Sequence, residues 1–503
     1  MSLGAVVPGC RLVPNWNSSG FPAVSDHAGR LASSTAVDLE PIGIRWNPVG
    51  PATTLRSRNI SRTETKSMRR TYSTWYVILF VVLTHSAPAG DSWPEWRGVT
   101  GQGVSDAKNL PVSWSETENV AWKVEIPGEG WSTPVVDSGQ VWITLATHVP
   151  ASKENAERRR QKTTNAQPLK ISESVSLRAA GYDLTSGELI RNVELLTEKN
   201  PQMVHRVNSY ATPSPILEDG RLYCHYGPYG IACMEIASGD VLWTNRTLRV
   251  KHENGPGSSP VLWKDLLIIH CDGIDQQYIV AINKHTGKQA WRTPRSGKLR
   301  EDVQMHKSYA TSLVVNVDGA QQIVSPASDW VYGYDPETGH ELWKLKYGVL
   351  GFSNASRPIA GHGLIFTCTG YMKAEMLAIS LNNPRQPEIQ WRAKKQIPNV
   401  ASPLLIGDEI YCASDAGIAS CIDAKTGEPV WTQRIGDRFW ASPLYADGRI
   451  YFFNHEGTTT VITPGRKFTK LAVNRLDGMV FASGAAVDGS LIQRTDKALY
   501  CLR

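Results

Sequence analysis

Residues 402–431 read SPLLIGDEIYCASDAGIASCIDAKTGEPVW. Ser402-Pro403 opens a short apolar run, and Gly407-Asp408 turns the chain into a second run, EIYCAS. A third run, SCID, leads into Thr426-Gly427, and Trp431 stands four residues past that glycine. Short apolar runs separated by tight-turn residues predict four antiparallel strands, A to D. Gly-Asp suits the A–B hairpin, which needs φ > 0. Thr-Gly makes the C–D turn, with glycine in a backbone state costly for other residues. The indole on strand D is large and flat enough to fill a wedge between two sheets, and its N–H can reach a backbone acceptor.

The phrase recurs along the chain. It appears as Glu235-IASGDVL-Trp243, Asn283-KHTGKQA-Trp291, Asp335-PETGHEL-Trp343 and Asp423-AKTGEPV-Trp431, with Gly and Trp always four apart. Trp391 closes a degenerate copy in which Asn382-Asn383-Pro384 supplies the turn. Steps of 48, 52, 48 and 40 residues between these tryptophans have the period of four-stranded propeller blades. The front half recurs eight times, from Thr133-PVVDSGQVWITL to Ser483-GAAVDGSLIQRT. The chain stops after an eighth strand C, at Leu502-Arg503, without a strand D. Val120-Ala121-Trp122-Lys123-Val124-Glu125 can supply it and leave no open edge. The expected fold is therefore all-β: an eight-bladed β-propeller of four-stranded antiparallel blades, closed by an N-terminal strand. Blade 1 carries Arg191 and blade 7 carries Thr469 where tryptophan would fall, so both are weak copies.

At 503 residues, 41% hydrophobic and 20% charged, the chain has an ordinary globular composition. Its formal charge is +6, and residues 1–89 hold nine Lys/Arg against four Asp/Glu. The remainder is nearly neutral, which argues against a nucleic-acid partner. Arg69-Arg70, the apolar run WYVILFVVL (75–83) and Ala87-Pro88-Ala89 form a secretion signal over 68–89. A nine-residue helical run spans about 13 Å of a hydrocarbon core about 30 Å thick, so no membrane span is expected. Residues 1–67 show no period; they are expected to be disordered or untranslated, with Met68 as the true start. The propeller is expected over 90–503, exported to the periplasm or secreted, with a monomer as the default state. An insertion is expected over 149–175 in blade 1, a solvated segment or a partner-docking lid.

Trp93-PEWRG, Asn119-VAWKVEIPGEGWSTPVV, His205-RVNSYATPSP, Glu253-NGPGSSPVLW, Gly361-HGLIF and Ala498-LYCLR complete a pattern over residues 93–503. It resembles the pyrroloquinoline quinone (PQQ) repeat propellers, above all an exported bacterial PQQ-like group described by fold and not by reaction. The resemblance implies two directions. One is an envelope scaffold like that of the outer-membrane assembly machinery, which binds no quinone. The other is a quinoprotein alcohol or sugar dehydrogenase with PQQ in the central channel. The dehydrogenases commonly carry adjacent cysteines over the quinone, a calcium held by Glu, Asn and Asp, and a catalytic Asp. Here no two cysteines are adjacent and no calcium triad maps. PQQ is thus disfavoured, the cofactor is unknown, and the leading reading is a non-catalytic binding scaffold of the envelope. Its partners would be envelope proteins or a small ligand at the channel mouth.

In this topology the D–A and B–C loops share the channel mouth. Their polar and aromatic residues are the site candidates: His205, Asn208 and Tyr210; His252, Glu253 and Asn254; His306, Ser308 and Tyr309; Ser353, Asn354 and Arg357; Asp437, Arg438 and Trp440. Three histidines on one rim suit metal binding or general base chemistry near neutral pH. The bland alternative is hydrogen bonding between blades. Gly98, Gly101 and Gly103 sit in GVTGQG with no helix after them, so they read as a loop and not a phosphate cradle. Asp272-Gly273-Ile274-Asp275 has too few oxygens for a calcium loop. Cys224/Cys233 and Cys412/Cys421 read first as buried thiols and second as cross-strand disulfides. A hydrolase or lyase using the histidine rim is a third functional class, but the chain has no G-x-S-x-G or H-E-x-x-H.

Overall fold

A computed structural model describes residues 90–163, 165–348 and 351–503. The expected leader over 68–89 and the extension over 1–67 lie outside the described residues. The repeat phrase folds as the chemistry of its residues requires. In Asp423-AKTGEPV-Trp431 the Asp423 carboxylate accepts from the backbone N–H groups of Lys425 (3.1 Å) and Thr426 (3.2 Å) and from the Thr426 hydroxyl. Asn283 and Asp335 do the same in blades 3 and 4. This is the side-chain-to-backbone bonding that favours Asp, Asn and Thr in turns. Gly427 follows at φ +76°, and a Cβ there would lie 2.5 Å from the Trp391 indole of the preceding blade. The glycine thus serves both the turn and the contact across the seam.

Among the described residues there are eight four-stranded antiparallel sheets. They cover 135–199, 216–245, 261–294, 313–346, 359–393, 404–434, 444–475 and 485–502. The eighth is completed by Val120–Glu125, which pairs with Ala498–Leu502 so that Trp122 faces Cys501. Strand A has three residues in seven blades and five in blade 4 (Leu313–Val317). The core is a set of apolar clusters, each shared by neighbouring blades, as between blades 2 and 3 around Tyr223, Cys233, Leu267 and Ile269.

Two kinds of bond recur at the seams. On the outside, indole N–H groups donate to the C–D turn of the next blade: Trp122 to Leu184 O, Trp243 to Lys284 O, Trp291 to Pro336 O, Trp391 to Ala424 O and Trp431 to Gly465 O, at 2.9–3.1 Å. Arg191, at the tryptophan position of blade 1, donates to Ile236 O (3.2 Å) and to Ala237 O, so the weak copy keeps the bond with a different cation-bearing donor. Trp114, from the segment ahead of the closing strand, packs on Tyr451 between blades 7 and 8. Trp343 departs from expectation. Blade 5 has no Thr-Gly turn to receive it, and its N–H donates to Gln322 Oε1 of its own blade (2.8 Å).

On the inside, a Ser or Thr hydroxyl at the start of one blade accepts the backbone N–H of the equivalent residue in the blade before. Thr133 N–H donates to Ser214 Oγ, Ser214 N–H to Ser259 Oγ, Ser259 N–H to Thr311 Oγ1, Arg357 N–H to Ser402 Oγ, Ser402 N–H to Ser442 Oγ and Ser442 N–H to Ser483 Oγ, all at 2.9–3.0 Å. Arginines bridge the two remaining seams. Arg357 Nε donates to Ser312 O (3.0 Å) between blades 4 and 5. Arg494 Nη1 donates to Ser132 Oγ (2.8 Å) and Thr144 O (3.0 Å) between blades 8 and 1.

Residues 93–105 cross the channel and stopper it. Trp93 bridges Val136 of blade 1, Pro94 O accepts from Leu217 N of blade 2 and Gln102 Oε1 from Ala360 N of blade 5. Gly103 and Ser105 bond Tyr445 of blade 7, and Ser105 Oγ reaches Ala486 O of blade 8. The segment therefore satisfies inner strand edges that no other strand covers. At Gly101 (φ +66°) a Cβ would fall 2.5 Å from the Arg357 guanidinium, so the GVTGQG glycines are required by close packing.

Arg357 carries the seam that lacks both indole and hydroxyl, and it also pairs with Glu95 of the stopper (2.9 Å). Arg357→Leu is expected to cost about 3–5 kcal/mol, because it strands a buried carboxylate. Ser442→Ala, which leaves one N–H unpaired, is expected to cost about 1–2 kcal/mol. Denaturant unfolding of both variants tests this; equal losses would contradict the special load on Arg357.

Candidate functional site

Above the stopper lies a blind well of about 120 Å³ on the channel axis. Trp96 is its floor, and Thr133, Ser214, Ser259, Ser442 and Ser483 ring it. Trp131, Tyr309, Trp440 and Phe481 rise above that ring. Trp131 stacks on Phe481 with centroids 4.1 Å apart, and Trp440 leans on Phe481 (5.6 Å) and His455 (4.5 Å). The Trp440 N–H donates to Asp415 Oδ1 (3.2 Å), and Arg438 lies over the Trp440 ring. Tyr309, from blade 4, stands across the ring from this aromatic wall.

Three buried guanidinium groups back the lining. Arg357 is paired with Glu95; burial raises that carboxyl above the usual range against the pull of Arg357. Arg97 donates to carbonyls of Gln102 (2.6 Å) and Pro403 (2.5 Å), and Arg494 to the Ser132 and Thr144 groups. Burial, with Arg357 adding to it at Arg97, lowers both guanidiniums to about 9. Among the described residues neither makes an ion pair.

The rim candidates have separate partners. Tyr309 lines the well and donates to His252 O (3.0 Å). His205 sits in a two-residue bridge opposite Leu169, and its Nδ1 accepts from Val207 N. Asn208 donates to Asn254 O and Pro256 O, and Asn254 Oδ1 accepts from Asn165. Tyr210 is buried, with its hydroxyl on Ser172. His306 bonds Arg300 O (2.7 Å). Asp437 and Arg438 are exposed at the mouth. Arg357 lies behind the floor rather than at the mouth, with its backbone N–H and each of its three guanidinium nitrogens engaged. Among the described residues no group of three or more His, Cys, Asp or Glu side chains is placed to hold a metal.

His252 belongs to a different group, with His225 and His270. All three are buried; burial lowers His225 to about 4 and His252 to about 3, and lowers His270 as well. Burial alone would raise Asp272, but the Arg295 charge overrides it and keeps the carboxylate ionised, 2.6 Å from His270 Nε2 and 3.2 Å from Arg295. Another grouping, Ser172 Oγ 3.0 Å from His148 Nδ1 with Glu129 3.8 Å from the other ring nitrogen, has the composition of a nucleophile triad. Ser172 is fully buried under the Tyr210 hydroxyl, so no substrate reaches it.

The residues present do not fit a quinone with calcium. The lining holds no carboxylate and no thiol, and its volume is below the roughly 300 Å³ at which organic-ligand pockets begin. The seven described cysteines are buried and unpaired. Cys412 pairs in register with Ser420, and Cys421 with Tyr411, so the two thiols lie on opposite faces of one sheet. The cross-strand disulfide is therefore excluded there, and the same register separates Cys224 from Cys233.

The ring and its stoppered channel define the class: an eight-bladed β-propeller. A family model described as outer membrane protein assembly factor BamB matches residues 273–383 and 378–478. The outer membrane protein assembly factor BamB of Yersinia pestis is 23% identical over 202 residues, 37% of this chain and 49% of that protein. The chain thus spans about half the length of the curated relative it matches. The crystal structure of BamB from Moraxella catarrhalis superposes with a TM-score of 0.50 at 9% identity, covering 76% of this chain and 99% of that one. A quinohemoprotein alcohol dehydrogenase from Pseudomonas putida HK5 reaches 0.44 at 13% identity, covering 75% and 76%. The family model over residues 273–478 and the BamB relative support a PQQ-like repeat β-propeller.

The buried imidazoles give a pH signature. Both His225 and His252 stay neutral in the fold, whereas the unfolded chain takes up protons near the ordinary value of about 6.5. Their contribution is present in full above that value and falls as pH drops toward 4. Unfolding midpoints measured between pH 7 and pH 4.5 should fall less steeply in a His225→Asn/His252→Asn double variant than in the parent; parallel slopes would contradict the assignment.

Proposed function

We propose that this protein is an exported binding scaffold of the cell envelope that holds partner proteins on the mouth face of its ring. The observation that carries this reading is the build of blade 1. Its outer strands run 11, 12 and 11 residues (Gln140–Pro150, Ser172–Asp183, Leu189–Lys199), where the other blades use five to eight. They raise a platform capped by the helix Lys153–Arg160, started by Ser152 and ending in Arg158, Arg159 and Arg160. Arg159 anchors it to Ser172 O (2.7 Å) and to Pro201 O, leaving Arg158 exposed. A raised, extended segment of this kind, with an exposed arginine at its tip, suits recognition of an acidic surface. Similarity to the outer membrane protein assembly factor BamB supports an envelope location, as does the leader expected at 68–89. Among the described residues no helix is long and apolar enough to cross a membrane. Among the described residues no carboxylate, imidazole, amine or thiol side chain lines the well.

The full chain, expressed in its own host with a photo-crosslinking residue at Arg158, is expected to yield one discrete adduct with an envelope protein. The same probe at Glu337, in a C–D turn on the opposite face, is expected to yield none. Equal labelling from both faces, or from neither, would overturn the reading. N-terminal sequencing of the exported form should begin near Gly90.

A further inference from the structure

We propose that the blind well is a binding site for a small planar carboxylate, one ring in size. The inference does not rest on the scaffold reading, since the well and the blade 1 platform are separate features.

The first argument is the state of the hydroxyls. Ser214, Ser259, Ser442 and Ser483 each accept a backbone N–H from the preceding blade. That bond fixes each oxygen and leaves its proton to donate, and among the described residues none of the four finds a protein acceptor. Their side chains line the well, so it presents convergent O–H donors. A ligand group that only accepts, and has several lone pairs, is the complement; a carboxylate has about four such positions.

The second argument is charge. Arg97, Arg357 and Arg494 are each at most 2% exposed. Arg97 directly follows the floor residue Trp96. Arg494 holds Ser132, between the lining residues Trp131 and Thr133. Arg357 donates to Trp96 O. Among the described residues the set has one ion-paired carboxylate, Glu95, and the Nε–H groups of Arg97 and Arg494 are buried without a partner. Buried positive charge behind a neutral wall projects into the cavity, where low dielectric strengthens it.

The third argument is shape. The Trp131–Phe481 stack, Trp440 and the facing Tyr309 form flat apolar walls, and Trp96 a flat floor. A volume near 120 Å³ holds one ring and excludes multi-ring cofactors.

Calorimetric titration of the purified chain with sodium benzoate, and with benzamide as its uncharged counterpart, tests the proposal. One benzoate per chain is expected, with benzamide at least about tenfold weaker, since a charge-assisted bond is about twice as strong as a neutral one. Ala355→Phe, which fills the well without touching the hydroxyls or arginines, should abolish binding with an unchanged unfolding midpoint. Ala482→Leu serves the same purpose if the first variant is unstable. Benzamide binding as tightly as benzoate would overturn the anion assignment. Benzoate binding that survives both fillers would overturn the location, and no binding at about 10 mM would overturn the site.

Discussion

Closure of the ring is the constraint on which the other features depend. An open row of eight blades would leave a bare edge on the last sheet and unpaired apolar faces on the terminal blades. Here Val120–Glu125 and Ala498–Leu502 lie side by side, so a strand from ahead of blade 1 and the last strand of blade 8 are locked in one sheet. Trp122 then reaches forward to Leu184 in blade 1, as other strand D indoles reach to their own neighbours. Every later feature assumes that geometry. The hydroxyl relay runs around a fixed circumference, the stopper spans a fixed diameter, and the well exists because both hold.

The seams show how one ring tolerates irregular repeats. Where an indole is missing, a guanidinium donates to the same turn, as at Arg191. Where the hydroxyl-to-amide bond is missing, a guanidinium bridges the seam instead, as at Arg357 and Arg494. Arginine can replace either contact because its planar group carries five donors at fixed angles. Its use near the axis leaves cationic groups in the wall of the channel. The electrostatics of the well are therefore a by-product of how the ring is sewn together.

The propeller was legible because its signal is repeated. The Thr-Gly turn and the tryptophan four residues later recur often enough that no single copy matters, and the last strand's missing partner pointed to Val120–Glu125. The role of Arg191 was not legible, since a weak copy and a substituted donor look alike in one chain. The site was less readable. Loop residues such as His205, His252 and His306 attract attention by type, yet His205 and His306 bond locally, His252 is buried with His225 and His270, and among the described residues the three are not grouped to hold a metal. The residues that do shape the well were present as structural punctuation: the Ser or Thr opening each blade, and Trp96 in the N-terminal segment. Their recurrence before Pro marked the strand starts, but the hydroxyl-to-amide relay depends on spacing between blades, which periodicity does not encode. The stopper followed a similar course; the lack of a helix after GVTGQG marked it as a loop and not a phosphate cradle, without showing that the loop lies across the channel.

Propellers place function on whichever surface the ring does not need. In this protein two such surfaces stand apart from the seams: the raised platform of blade 1 and the small well beneath the mouth. Both rely on a ring that does not open. Native-state hydrogen exchange followed by mass spectrometry tests that most directly. The amides of Val120–Glu125 should exchange as slowly as those of Ala498–Leu502, and both should open together with the inner strands of blade 8. Rapid exchange of Val120–Glu125 while Ala498–Leu502 stays protected would show a frayed terminal strand and contradict the closed ring.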